Sequence, residues 1–353
     1  MIYYNNYEIY EHIINHNEYL DSLFAQFGDL LEDSISFLNE FISIVRTIVQ
    51  NEAKFAVLKR FMACDAFAHI TQALEQLERM EFIESEKINI MKIQLVEVII
   101  FLSQIEIFPL YNYLKSNPHL LQLLIKNMYK GDQGLQILIG DLFKLFLEND
   151  NPKKSEILDF VYCNLLPALM EQYYKLESSQ YFMNYAQELI NILSHCIFIH
   201  GTRIRYYIIQ HKILQELYKG FKLNNKTLTL AIIRLVKIIV SSKDEFLIKF
   251  IANYNLLSDI FKIYFQNCNK NNLLSSACLE LFEKIRTDNV KKLINYIVEN
   301  FGEEIIRRNL KKPFERMFQK YEQINDGKTP NFRVQEVVPE NPDQLGTENN
   351  AQM

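Results

Sequence analysis

The sequence predicts an all-α protein, a right-handed α-solenoid of armadillo/HEAT-like helical repeats with a period of 46–47 residues. Three observations carry this. Apolar residues follow the helical period almost throughout. Gly (9) and Pro (8) are scarce in 353 residues; helix interiors tolerate neither, and β-rich folds need both at turns. Third, one apolar pattern returns at a fixed step, the signature of repeat architectures.

The step is read from Leu281-Phe282. Moving back 46 or 47 residues at a time gives Leu235-Val236, Leu189-Ile190, Leu142-Phe143, Leu95-Val96 and Ile48-Val49. Four residues after each pair's first member stand Ile285, Ile239, Leu193, Phe146 and Ile99, with Glu52 as the exception. Three residues before stand Cys278, Ile232, Ala186, Ile139 and Val45, with Lys92 as the exception. Positions i−3, i, i+1 and i+4 share one helix face, so every unit presents the same stripe for burial. The period fits two antiparallel helices and their turns.

Taken in order, residues 1–24 read as a helical lead-in, 25–302 as the solenoid, 303–324 as a capping helix interrupted near Pro313, and 325–353 as a disordered tail. The helix before the stripe repeats as well. Leu121, Leu124, Ile125 and Met128 correspond to Leu214, Leu217, Tyr218 and Phe221, ending in MYKG and LYKG. Gly131 and Gly220 are expected to close those helices in the left-handed conformation. Pro109, Pro118 and Pro152 are placed between helices, and Pro167 is expected to kink or restart one.

Charge is unevenly spread. Residues 1–100 carry 7 basic against 16 acidic side chains, and residues 201–250 carry 10 against 3. The basic stretch (Arg203, Arg205, Lys212, Lys219, Lys222, Lys226, Arg234, Lys237, Lys243, Lys249) would attract an acidic partner if its members shared a face. Nucleic acid is disfavoured. The five cysteines show no CxxC pair and no signal-like start precedes them, so reduced thiols in an intracellular protein are expected. No run of 18 apolar residues occurs, and no membrane span is expected.

Catalytic patterns are few. His12 and His16 have the spacing for one metal but lack an evident third ligand. His195, Cys196 and His200 could form a thiol–imidazole pair, although Cys196 lies in an apolar run. No phosphate loop, dinucleotide fingerprint, HExxH or metallophosphatase signature is present, so an enzyme, a cofactor and a small-molecule substrate are not expected.

One stretch is more specific. KDEFLIKFI from Lys243, NKNNLLSSACLELFEKIR from Asn269 and VKKLINYIVENF from Val290 resemble the SMEK family, regulatory subunit 3 of protein phosphatase 4. The similarity is dense over 190–324 and thinner from residue 17. Asn271 stands where that family usually has Tyr, and Ser275 where it usually has Asn. The family's pleckstrin-like domain before the solenoid and its long charged region after it have no counterpart in these residues. The resemblance implies a non-catalytic scaffold joining a phosphatase 4-like catalytic subunit to a second regulatory subunit, in the nucleus and/or cytoplasm. The alternative is a diverged solenoid with a structural or assembly role. The polar residues peculiar to the stretch, Lys243, Asp244, Glu245, Asn271, Asn272 and Arg286, are the partner-binding candidates; capping helices and tying repeats is their other reading.

Overall fold

The computed structural model describes residues 8, 11–26, 31–47, 51–80, 85–148, 154–310 and 312–325. Among these no strand occurs. One layer of helices organises the molecule: α2 (Leu31–Thr47), α5 (Ser85–Ile105), α8 (Gln133–Leu147), α11 (Gln180–His200), α14 (Lys226–Ser242) and α17 (Leu273–Thr287). Each packs on the next, forming a ladder. These are the helices that carry the repeated stripe. Leu95, Leu142, Phe143, Leu189, Val236, Leu281 and Phe282 are all essentially inaccessible to solvent.

Between successive rungs lie two further helices, not one, except between α8 and α11, where residues 154–173 run on through a π turn. The first is short: α3 (Asn51–Ala63), α6 (Phe108–Ser116), α12 (Thr202–Gln210), α15 (Glu245–Asn253). The second is α4 (Ala66–Met80), α7 (Pro118–Lys130), α13 (Ile213–Tyr218) and α16 (Leu257–Asn267). The expected pair of antiparallel helices is therefore a triplet. A nine-residue helix such as α12 spans too few turns to register as a separate period.

The first rung sits at a different spacing. The pair Ile48-Val49 lies outside the described residues, and α2 already ends at Thr47. Its buried stripe is Leu38, Phe41, Ile42 and Val45, which places the pair 54 residues before Leu95. Seven residues are about two helical turns, so the shifted register falls on nearly the same face. Glu52 failed the pattern because it belongs to the exposed side of α3. Lys92 failed differently. It occupies the stripe, buried, with Nζ 2.8 Å from Glu78 Oε1 on α4. Lys126 on α7 also pairs with Glu78.

Gly131 and Gly220 do not take the left-handed conformation. Gly131 is extended (φ −66°, ψ 171°), and Gly220 lies in the 3-10 turn Lys219–Leu223. Close approach is what they supply. A Cβ on Gly131 would overlap Asn127 O and stand 2.9 Å from Leu135 Cδ2; on Gly220 it would stand 2.6 Å from Tyr173 Oη. Left-handed positions go instead to side-chain-bearing residues, Lys243, Asn255 and Asn289 among them.

Pro109 and Pro118 sit in the first turns of α6 and α7, where a missing N–H costs nothing. Pro152 lies outside the described residues. Pro167 restarts a helix: α9 (Lys154–Phe160) passes through a π turn, Val161–Leu165, into α10 (Leu166–Tyr173). Helix α18 (Lys291–Arg307) continues through residue 303, and α19 (Phe314–Ile324) follows the break at Pro313. Phe314, Met317 and Tyr321 bury against α17 and α18, and Lys320 Nζ donates to Arg286 O at 2.9 Å. That bond satisfies a carbonyl at the end of the last rung. Before α2, α1 (Asn17–Ala25) is helical. Residues 326–353 lie outside the described residues. Helix α5 is long and apolar enough over Glu86–Ile105 to cross a membrane by length and composition alone. It packs between α2 and α8 with its stripe inside.

Candidate partner-binding surfaces

The KDEF stretch forms a corner where α14 turns into α15. Lys243 ends α14 in the left-handed conformation (φ 55°), with its side chain exposed. Asp244 then caps α15. Its Oδ1 accepts from the Phe246 and Leu247 amides, each at 3.0 Å. Its Oδ2 accepts from Arg205 on α12 at 3.2 Å. One carboxylate therefore starts a helix and ties it to the preceding repeat. The Arg205 guanidinium contacts two rings, 4.6 Å from the Phe246 centroid and 5.0 Å from that of Tyr206. Both rings are exposed, Phe246 at 57% and Tyr206 at 64%. Fixed aromatics around a held arginine are the residue types that dominate protein interfaces. Glu245 projects into solvent beside them, reaching Lys249 only at 3.9 Å.

The other three candidates lie at the next rung. Asn272 caps α17, accepting from Ser275 N at 2.8 Å and donating to Asn267 Oδ1 at 3.0 Å. Asp132, Ser179 and Asn225 do the same for α8, α11 and α14, accepting from Leu135, Phe182 and Leu228. These four caps are themselves 46–47 residues apart, a second repeat beside the buried stripe. Asn272 is thus architectural. Arg286 is held by both oxygens of Glu283, whose carboxyl falls below its usual range through that hydrogen-bonded pair. Asn271 is exposed.

A groove of about 460 Å³ opens on the ladder between α11 and α14. Phe198, Leu230 and Ile238 give it an apolar surface, and Phe198 is 85% exposed. Gln187, Asn191 and Arg234 line it too. Beneath its edge Glu188 is buried, and desolvation pushes its carboxyl above the usual range.

A profile of the family described as phosphatase 4 regulatory subunit 3 matches residues 1–323. The chain belongs to that family. It is 26% identical over 92% of its length to "Serine/threonine-protein phosphatase 4 regulatory subunit 3" of Drosophila melanogaster, covering 35% of that protein. It is 24% identical over 92% of its length to "Suppressor of Mek1" of Dictyostelium discoideum, covering 33% of it. The chain thus spans about a third of the length of the curated relatives it matches. No solved structure gives a significant match.

In this member of the phosphatase 4 regulatory subunit 3 family, the remaining sequence candidates go to structure. Cys196 is fully buried, and desolvation pushes its thiol up to about 12. His200 faces elsewhere, with Nε2 donating to Leu147 O at 3.1 Å and Nδ1 accepting from Tyr162 Oη at 2.9 Å. Burial lowers its pKa. His195 lies 2.9 Å from Glu148 on the neighbouring rung. A thiol held protonated beside an imidazole bonded elsewhere is no nucleophile pair. His16 Nδ1 donates to His12 O, and His12 contacts Tyr19 Oη at 3.0 Å. Among the described residues no group of three metal-ligating side chains gathers.

Part of the basic stretch is engaged by acids. Arg203 pairs with Asp159 on α9, and Lys237 with Glu280 on α17. Lys219 pairs within its own turn with Glu216. Several of these charges are ties between repeats.

Proposed function

We propose that this chain is a non-catalytic scaffold that holds the catalytic subunit of a phosphatase 4-like serine/threonine phosphatase and a second regulatory subunit. Membership of the regulatory subunit 3 family is the observation that carries the reading. The architecture supports it: a ladder of stacked repeats offers long, rigid surfaces for protein partners. The relative from Drosophila is named as a regulatory subunit of phosphatase 4.

We place the catalytic-subunit contact at the KDEF corner. Phe246 and Tyr206 supply exposed aromatic area, and Arg205, held by Asp244, supports both rings. Lys243 and Glu245 flank it. Asp244 serves the contact by holding its shape, whereas Asn271 and Asn272 stand at the opposite end of the next rung and Arg286 is tied to Glu283. The unpaired thiols Cys64, Cys163, Cys196, Cys268 and Cys278 fit a reducing compartment, in keeping with a place in the nucleus and/or cytoplasm. A fluorescent fusion confined to a secretory compartment would remove that placement.

The test is co-elution in gel filtration with the source organism's phosphatase 4 catalytic subunit. Stable co-elution is expected, with weakening of at least tenfold for Phe246→Ala combined with Tyr206→Ala. A well-folded chain that never co-elutes contradicts the scaffold reading.

A further inference from the structure

The groove between α11 and α14 is built differently from the corner, and it invites a different occupant. Two rows face each other across it. On α11 the row is Gln187, Asn191, Ser194 and Phe198; on α14 it is Thr227, Leu230, Arg234 and Ile238. Spacings of three and four residues keep each row on one helix face. The rungs are equivalent helices of successive repeats, so the rows run side by side along the groove. The α11 row presents hydrogen-bonding side chains at three successive turns and ends on a ring exposed at 85%.

The lining residues carry the cations Lys144 and Arg234 and the imidazole of His195, and no carboxylate lines the groove. The nearby exposed acids each hold a basic partner. Glu280 stands 2.7 Å from Lys237 and also feels Arg234, Asp141 stands 2.8 Å from Lys144, and Glu148 stands 2.9 Å from His195. Glu188 is buried and bonded by Asn191 Nδ2 at 3.2 Å, with its carboxyl shifted toward the neutral form by desolvation. Arg234 projects from the exposed side of α14. A channel with amide and hydroxyl groups along one wall, an apolar end and a cationic side complements one kind of segment. An extended main chain can bond to the amides, a large apolar side chain can cover Phe198 and Ile238, and a carboxylate can meet Arg234.

We propose that this groove binds an extended acidic peptide segment of a partner protein, anchored by one large apolar side chain and by a carboxylate on Arg234. The proposal concerns a surface separate from the corner and holds whether or not a phosphatase subunit occupies that corner.

The probe is a phage-displayed library of random peptides of about twelve residues, selected on the full chain. The enriched peptides are then synthesised with a fluorescent label for anisotropy. Enrichment of Phe, Leu, Ile or Met next to Asp or Glu is expected. Phe198→Ser and Arg234→Glu are each expected to weaken binding at least tenfold with the melting temperature unchanged, since both side chains are exposed. Peptides with Lys in place of Asp and Glu are expected to bind only Arg234→Glu. Added salt is expected to weaken wild-type binding. No enrichment, enrichment of basic peptides, or equal affinity for wild type and both variants would overturn the proposal.

Discussion

Two salt bridges between helices of this molecule look alike on paper and do different things. Lys92–Glu78 is buried in the ladder, with side-chain exposures of 2% and 8%. Arg205–Asp244 is half-buried at 17% and 18%, under two exposed rings. The first replaces an apolar stripe position; the second caps a helix and supports two rings that face solvent. A buried pair is architecture because removing one partner weakens the hold on the other charge. A half-buried pair beneath exposed aromatics leaves those rings free to serve recognition. The polarity of a residue does not separate these roles; its place relative to the stripe does.

The largest expected effect breaks the buried side of the comparison. Lys92→Ala leaves Glu78 facing only Lys126 and is expected to cost about 3–5 kcal/mol in urea unfolding. The double change Lys92→Met with Glu78→Leu is expected to recover most of it. The same pair sets a pH dependence. Desolvation pushes the Glu78 carboxyl up, but its hydrogen bonds to Lys126 and Lys92 outweigh that and leave it lowered. A carboxyl lowered in the folded state contributes stability above its unfolded value, near 4.3, that is lost as pH falls through the folded value. The Glu78→Leu, Lys92→Met chain should therefore lose less stability than wild type on acidification below about pH 4.

Phe282→Ala tests the stripe without charge. Phe282 is fully buried, stacked 4.4 Å from Phe261 and tilted against Phe314 at 5.4 Å. A loss of about 3–5 kcal/mol is expected. A loss below 1 kcal/mol would mean that the last rung does not share the core.

At the corner the expected stability cost is smaller. Asp244→Ala removes the cap and the tie to Arg205, worth about 0.5–2 kcal/mol for the cap alone. Asp244→Asn, which can still cap, should recover much of that in thermal melts. The smallest effect is chemical. Cys163 is exposed and Cys196 buried with its thiol up at about 12, so iodoacetamide at neutral pH should label Cys163 and spare Cys196 in the folded chain.

The ladder was legible because a buried stripe has to repeat wherever successive rungs make the same contact. Even Lys92, which broke the pattern, stood in register; what could not be read was its partner Glu78 on the preceding helix α4, because nothing in the spacing shows that α4 turns that carboxylate inward. The slip at Ile48-Val49 shows the weakness of a period alone, since a shift of about two turns satisfies the same face. The third helix of each repeat was hidden by its shortness. The caps Asp132, Ser179, Asn225 and Asn272 were readable by the same step and mark Asn272 as architecture. The corner was legible only in part. KDE could be singled out, but Arg205 and Tyr206 reach it from 39 residues away in the case of the Arg205–Asp244 bond. The groove left no local signal, because its two walls belong to different repeats.

The scaffold reading rests on family membership and the placement of its contact rests on the corner, and one measurement addresses both directly: gel-filtration co-elution of the phosphatase 4 catalytic subunit with three forms of the chain. These are wild type, Phe246→Ala with Tyr206→Ala, and Phe198→Ser with Arg234→Glu. Co-elution with the wild type and the groove variant, weakened at least tenfold in the equally stable corner variant, is the expected result. Co-elution undiminished by the corner changes would contradict the placement of the contact, and its absence from all three folded forms would contradict the scaffold itself.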